Sequence, residues 1–437
     1  MPIPEFVPST PERRVPPQEA LRLLYEEIES LHLRAEIRTY GQGLATRHCL
    51  LYRGDGRVVG EGMGKGIGLQ STASAVAEAL ERLISSASNR GEPPLQNRSP
   101  EGCIWSVIAE LPHQEVLARD KAVELLLQHH PGAKVPCRPY KGVTEPDMLA
   151  LYPLVLTTPD YPDYPLPGDS FDYTRIRRYC TNSGTALGLD VTEAMIHAVC
   201  ERIERDAESL FLISTFLSEP PRPVRLVAPD TLPLRLRALY NEITELAGVP
   251  VMIIDITTDI GVPSFCAVIM RQEGLIQPRG CGCSLSKEYA VERAMLEALQ
   301  DMHVQEQFAA ECHDDHVAIL SALHRFPRYQ AAARMNVAAL VNQGLFEVRD
   351  FADIVAPAVP RDLDEYLAVL VDLVEARGFH IFYSVAYQSS LGITCLNVLI
   401  PGLENFQLVK SGNAVLPGGR GRAMLQSARL CARDGAV

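Results

Sequence analysis

Apolar residues recur along this chain with two periods, and the changes between them mark out its elements. Gln18 to Leu33 reads as an amphipathic helix, and the stretches AEIRTYG (35–41) and HCLLYRGDGRVVGEG (48–62) read as strands. A Gly-Asp-Gly hairpin turn at 54–56 joins the second pair. Residues 70–87 return to the helical period. From 91 to 182 the signals mix: a strand at CIWSVIAEL (103–111), a helix at 119–129 and a strand at LALYPLVLTT (149–158). The Pro- and Tyr-rich loop YPDYPLPGDSFDY (161–173) is long for a compact domain, which makes it a candidate binding loop or lid. A helix starts near Val191, and further helical patterns cover 231–247, 287–303, 305–345 and 361–377. Strands are expected at VPVMIIDIT (249–257), PSFCAVIM (263–270), HIFYSVAYQ (380–388) and ITCLNVLIP (393–401). Strands and helices alternate irregularly, which predicts an α+β fold of mixed β-sheets with flanking helices. Residues 1–16 are Pro-rich and read as a loose arm.

The helix that starts near Val191 has an unusual polar face. Asp190 is a natural N-cap, because its carboxylate can accept the first backbone N–H groups. Glu193, His197, Glu201, Glu204 and Glu208 then fall within roughly 80° of one another, at about 100° per residue. Ile196, Val199, Ile203 and Leu210 occupy the opposite side, as in a helix packed on a core. Like charges three and four residues apart repel, so the helix gains nothing from this stripe by itself. Arg202 and Arg205 lie on other faces. The stripe therefore either faces water or meets a divalent cation, for which carboxylate oxygens are natural ligands.

A related device occurs three times. GMGKGIG (62–68) leads into a helix on which Ser71, Ser74, Glu78, Glu81 and Arg82 share one side. SGTALG (183–188) leads into the acidic helix. RGCGCSLS (279–286) leads into a helix on which Arg293, Glu297 and Gln300 share a wedge of about 60°. Lys65, between Gly64 and Gly66, can place an ammonium beside a phosphate while the bare backbone donates N–H groups. The spacing is not that of a Walker loop. Three copies, supplying Lys and Arg for phosphate and paired carboxylates for magnesium, point to nucleotide binding.

Composition removes several alternatives. The 437 residues carry a net charge of −13 with no concentrated Lys/Arg run, which argues against nucleic-acid binding. No apolar run is long enough for a membrane span, and MPIPEFVPSTPERRVPP lacks the hydrophobic region of a signal peptide, so a cytoplasmic protein is expected. The eleven cysteines are scattered, often in apolar segments, which suits reduced buried thiols. Cys281 and Cys283, with Cys312, His313 and His316, invite a zinc reading, but the Cys-x-Cys spacing is not that of a zinc knuckle and both elements belong to other patterns.

The same blocks resemble the YcaO family of ATP-dependent peptide-modifying enzymes. The resemblance rests on the Gly-Lys-Gly turn with A-x-x-E-A-x-E-R at 75–82, and on S-G-x-A-x-G with E-A-x-x-H-A-x-x-E-x-I-E-R-D-A at 193–207. G-x-G with A-x-x-R-A-x-x-E-A-x-Q at 280–300 completes it. It implies a YcaO fold and an ATP-binding catalytic domain over 40–415, preceded by an arm and helix (1–39) and followed by a Gly/Arg-containing tail (416–437). By motif position, Glu78, Glu81, Glu193, Glu201 and Glu204 would hold Mg2+. Lys65, Arg205 and Arg293 would face phosphate or developing negative charge as the catalytic groups, with Gly64, Gly66, Ser71, Glu297 and Gln300 among the nucleotide contacts. Two departures stand out. Leu189 occupies the position where the family often has Asn, and the end of the chain is not the proline-rich tail of many azoline-forming members. His197 is either a structural neighbour of the glutamates or a catalytic group.

The resemblance further implies an azoline-forming cyclodehydratase that phosphorylates backbone amides of a ribosomally made precursor peptide, giving thiazoline or oxazoline rings from Cys, Ser or Thr. A leader-binding partner resembling a ubiquitin-activating enzyme would present the peptide, and a flavin-dependent dehydrogenase could oxidise the ring. A homodimer is compatible with this reading. The alternatives are a thioamide- or amidine-forming enzyme, the former with a TfuA-like partner, and a nucleotide-binding regulatory subunit.

Overall fold

The computed structural model of the protein describes residues 12–89, 103–113, 117–271 and 274–434. Helix α1 (Pro17–Ser30) leads into strands β1 (Arg34–Tyr40), β2 (Thr46–Tyr52) and β3 (Val58–Gly64), then α2 (Leu69–Ser85). Next come β4 (Ile104–Val107), α3 (Lys121–His129), β5 (Lys134–Gly142), β6 (Leu149–Pro153), the single turn α4 (Leu154–Thr157), β7 (Thr185–Gly188) and the long α5 (Val191–Leu212). They are followed by β8 (Val224–Val227), α6 (Leu234–Ala247), β9 (Val251–Asp255), β10 (Ser264–Ile269), β11 (Arg279–Cys283) and α7 (Lys287–Gln307). The last part contains α8 (Ala309–Ala322), α9 (Pro327–Arg334), α10 (Val337–Asn342), β12 (Phe346–Arg349), α11 (Leu363–Glu375), β13 (Phe382–Gln388), β14 (Thr394–Leu399) and α12 (Gly419–Asp434). The strands form three sheets, ordered β1-β2-β3, β11-β10-β9-β8-β12 and β4-β5-β13-β14-β7, with β6 paired to β5. β12 runs parallel to β8 while the other pairs are antiparallel, so the five-stranded sheet that contains them is mixed, as expected, and the other two are antiparallel. No helix among the described residues is long and apolar enough to cross a membrane.

Each of α2, α5 and α7 lies on the strand that precedes it, and glycine sets how close it lies. A Cβ on Gly64 would sit 1.8 Å from the Ser71 carbonyl oxygen, and one on Gly62 would sit 2.4 Å from that of Ala75. On β11 a Cβ at Gly282 would meet the Ala290 carbonyl at 2.1 Å, and at Gly280 the Ala298 amide at 2.4 Å. On β7 a Cβ at Gly188 would meet the Ala194 amide at 2.4 Å. The helix faces are correspondingly small: Ala75 and Ala79 on α2, and Ala290, Ala294 and Ala298 on α7, are fully buried. The glycine-rich stretches expected to be loops are thus largely strands, with glycine where strand and helix backbones touch. The true turn is shorter. It spans Gly66 and Gly68, whose φ values of 139° and 61° favour glycine.

Other expectations change for identifiable reasons. Residues 12–16 are not loose, since Glu12 is buried and accepts a hydrogen bond from Tyr366 Oη at 2.7 Å; residues 1–11 lie outside those described. The boundary at 39/40 has no counterpart in the packing, because Leu24, Ile28 and Leu31 of α1 share one apolar core with β2 and α2. Strand β5 was hidden by Pro136 and Pro139. They are tolerated because each has a side with no ladder partner: Pro136 lies before the β6 pairing, which begins at Cys137, and Pro139 lies between the stretches paired with β4 (134–137) and with β13 (Lys141 and Gly142). The strand expected over 149–158 stops at Pro153 and turns into α4, and the one over 103–111 stops at Val107. Within the Gly/Arg-containing tail, residues 419–434 form α12, with Arg420 bridging Asp206 at 2.9 Å. The loop at 161–173 packs Tyr161 and Tyr173 into an apolar core, and both donate to Asp169, at 2.6 and 2.8 Å.

The strand–helix contact can be tested directly. Gly64→Ala should lower the unfolding free energy by about 1–3 kcal/mol, the usual cost of overpacking. Gly54→Ala, where nothing lies within 4 Å of the added carbon, should change it by less than about 0.5 kcal/mol. Paired denaturant titrations of the two variants check this.

Candidate functional site

The polar stripes of α2, α5 and α7 face one another across a cavity of about 630 Å³. Its wall includes Lys65 and Gly66 from the turn after β3, Glu78 and Glu81 from α2, and Glu193, His197, Glu201, Glu204 and Arg205 from α5. Arg293, Glu297 and Gln300 of α7 complete the set expected from the sequence. Two expected residues lie elsewhere. Ser71 is buried and donates to the Gly68 carbonyl at 2.8 Å, and Gly64 serves the packing of β3 on α2; Gln70 and Ser74 line the cavity instead.

The carboxylates ring the cavity, each held by a donor. Glu78 accepts from the Met63 amide at 3.0 Å and from Arg82 at 2.6 Å. Glu81 accepts from the Leu187 amide at 3.2 Å, which ties α2 to β7. Glu201 accepts from the Gly184 amide at 3.0 Å, and Arg205 lies 3.3 Å from both Glu201 and Glu204. Glu193 is held by the arm, accepting from Arg13 Nη1 at 2.9 Å and from the Arg14 amide at 3.1 Å. Among the described residues, no three acidic, His or Cys side chains converge closely enough to form a finished ligand cluster, so metal binding requires these side chains to turn inward. Burial, followed by the neighbouring charges of Glu201 and Glu78, pushes the Glu81 pKa well above the usual carboxylate range. Burial also raises that of Glu78, partly offset by Arg82. A cation is the natural relief for such a pair, since it removes the repulsion that opposes ionisation.

The basic groups are equally constrained. Lys65 is paired with Glu297, yet burial and then Arg293 bring its pKa down to about 7. Burial opposes charge on Arg205 and Arg293 too, but Glu204, Glu201 and Glu208 more than compensate for Arg205, as Tyr289, Glu12 and Glu204 do for Arg293. The same crowd of cations keeps His197 neutral: burial, then Arg293, Arg13 and Lys65, push its pKa well down. Arg293 Nε and Gln300 Oε1 are buried without a hydrogen-bond partner, a cost that a polar ligand in the cavity would remove.

Sequence reasoning missed part of this wall. Arg13 comes from the arm, whose only signal was the basic pair Arg13-Arg14, Thr185 comes from the SGTALG stretch, and Asn182 from just before it. Tyr289, beneath the Arg293 guanidinium at 5.8 Å, had no signal beyond its helical position. Among the described residues no cysteine lines the cavity. Cys281 is fully buried on β11, paired in register with Cys266, while Cys312 is on α8.

A sequence profile of the family described as YcaO cyclodehydratase, ATP- and Mg2+-binding, matches residues 63–404. The chain belongs to the YcaO family. A relative from Rhizobium leguminosarum bv. trifolii, described as an uncharacterized protein in the tfuA 3′ region, is 28% identical over 239 residues, covering 51% of this chain and 52% of that protein. This YcaO chain spans about half the length of the curated relatives it matches. The structure of YcaO from Methanopyrus kandleri bound with AMPPCP and Mg2+ is similar at a TM-score of 0.62 and 18% identity, over 93% of this chain and 96% of that one. A heterocyclase in complex with substrate and cofactor gives 0.61 at 18% identity, over 90% and 53%. These two structures show that the fold is the YcaO fold.

The depressed lysine is directly measurable. In the reductively 13C-methylated YcaO protein, one lysine signal should titrate near pH 7, far below the ordinary lysine value of about 10.4. It should vanish in Lys65→Arg and move upward in Arg293→Ala, since removing Arg293 removes a repulsion that opposes protonation. An NMR titration in which every lysine titrates at the ordinary value would contradict the cavity electrostatics.

Proposed function

We propose that this YcaO protein uses Mg-ATP to activate backbone amides of a ribosomally made precursor peptide, closing azoline rings from Cys, Ser or Thr. The observation that carries the reading is the enclosure, in one cavity, of the α2 and α5 carboxylates with Lys65, Arg205 and Arg293. The volume of about 630 Å³ suits a nucleotide-sized ligand. The orphaned Arg293 Nε and Gln300 Oε1 mark where such a ligand would be bound. The family's description as a cyclodehydratase favours ring formation as the chemistry.

In this reading Glu78, Glu81, Glu201 and Glu204 hold Mg2+; Glu193 belongs to the same family pattern but is engaged here by Arg13 and Arg14. The bound ion supplies neutralisation of the triphosphate, which phosphoryl transfer requires. Arg205 and Arg293 offer fixed positive charge to phosphate oxygens, and Lys65, whose proton is loosely held near neutrality, would be kept charged by the phosphate it meets. Phosphorylation solves the chemical problem of an amide, whose oxygen leaves poorly unless it departs as phosphate. Neutral His197 acts as a hydrogen-bonding wall residue rather than a cation.

A thioamide-forming enzyme with a TfuA-like partner is the second reading, and one observation favours it: a relative is described as lying in the tfuA 3′ region. In the azoline reading, the partners are a leader-binding protein resembling a ubiquitin-activating enzyme and, for aromatic rings, a flavin-dependent dehydrogenase.

Reconstitution with precursor peptide, partner and Mg-ATP separates these outcomes by mass. Azoline formation removes one water and releases one phosphate per ring, whereas thioamidation exchanges one oxygen for sulfur. Tight nucleotide binding with no mass change would instead indicate a regulatory subunit. Glu204→Gln and Arg293→Ala should each reduce turnover by roughly tenfold to a thousandfold with little change in Tm. Wild-type turnover in both would refute the site assignment.

A further inference from the structure

Glu193 is the one carboxylate of the family pattern whose two oxygens are both claimed by the N-terminal arm. Arg13 Nη1 donates to Oε1 at 2.9 Å, and the Arg14 amide donates to Oε2 at 3.1 Å. The arm is anchored on both sides of this contact. Glu12 accepts from Tyr366 Oη at 2.7 Å, and that oxygen accepts in turn from the Leu285 amide at 2.8 Å. Arg14 Nε donates at 2.7 Å to Asp190, whose other oxygen caps α5 by accepting from the Glu193 amide at 2.8 Å. Arg13, Val15 and Pro17 consequently form part of the cavity wall.

Two features make this end of α5 a poor site for a hard cation. Mg2+ demands oxygen ligands at about 2 Å in near-octahedral order. Leu189, which lines the cavity one turn before Glu193, offers only hydrocarbon. Glu193 itself is 4% exposed with a guanidinium on its carboxylate, and a second cation there would be repelled by Arg13 as well as having to displace it. We propose that Glu193 binds the N-terminal arm instead of a divalent cation, and that the Arg13 guanidinium supplies the positive charge at this end of the cavity. The inference rests on the Mg-nucleotide reading of the remaining carboxylates. It makes the arm a structural part of the site and gives this chain one metal-binding carboxylate fewer than its motif implies.

The full chain, saturated with AMPPCP, is titrated with Mn2+, and bound metal is counted from the EPR signal of the free ion. Trypsin cleavage after Arg13 and Arg14, followed by mass spectrometry, reports the arm in the same samples. Glu193→Ala should leave the Mn2+ count unchanged and speed cleavage by about tenfold or more, because the docked arm must open locally to be cut. Arg13→Ala should likewise speed cleavage after Arg14. In the wild-type chain, saturating Mn2+ and AMPPCP should not speed cleavage. Loss of one Mn2+ equivalent in Glu193→Ala would overturn the proposal, as would faster wild-type cleavage on adding metal and nucleotide. A Mn2+ count that also stays unchanged in Glu204→Gln would refute the underlying metal–nucleotide reading instead.

Discussion

The site depends on how closely three helices can lie on three strands. At Gly62, Gly64, Gly188, Gly280 and Gly282 the strand backbone is so near the helix that a single methyl group would overlap backbone atoms. With the facing helix positions reduced to alanine, the distance between strand and helix is fixed by backbone contact and not by adaptable side chains. The outward stripe of each helix is therefore held in a fixed direction. Because α2, α5 and α7 each follow their strand immediately, the same packing solution repeated three times aims Glu78 and Glu81, Glu193 to Glu204, and Arg293 to Gln300 into one space.

Holding so much charge out of water is costly, and the fold answers with pairing on both sides of α5. On the cavity side, Arg205 is shared by Glu201, Glu204 and Glu208. On the core side, Glu208 is fully buried and paired with Lys410, while Asp206 is paired with Arg420. What these pairs leave unsettled includes, in the cavity, a pair of carboxylates on α2 resisting ionisation, a lysine losing its proton near neutrality, and orphaned polar atoms on Arg293 and Gln300. Groups left in this condition in one enclosed space are the expected signature of a ligand that carries both anionic and cationic charge.

Much of this was legible in the sequence because helical periodicity is strict. The stripes of α2, α5 and α7 needed only residue spacing to be drawn, and their expected acidic and basic members line the cavity except Glu208, which is fully buried and paired with Lys410. The glycines were found but misread: small residues beside a helix start look the same whether they cradle an anion or admit a helix backbone, and only the strand pairing of Arg47 with Gly64, or Ser264 with Cys283, distinguishes the two. Arg13 was out of reach, since a Pro-rich arm has no period and its ordering depends on long-range partners, Tyr366 and Glu193. Ser71 was misplaced because its position on the wheel adjoins the stripe, while its hydroxyl turns back to cap the Gly66–Gly68 turn. Strand β5 and helix α12 were hidden by Pro136, Pro139 and the glycines at 418, 419 and 421, whose local preferences are overridden by tertiary packing.

The central claim is that this cavity is built for a triphosphate and its metal together, neither of which it accommodates well alone. Calorimetric titration of AMPPCP into the wild-type chain, with Mg2+ and with the metal removed by chelation, tests it most directly. With Mg2+ the nucleotide should bind tightly. Without it the ring of carboxylates repels the phosphates, and affinity should fall by roughly a hundredfold or more, about 2.7 kcal/mol. Equal affinity with and without the metal would contradict the account.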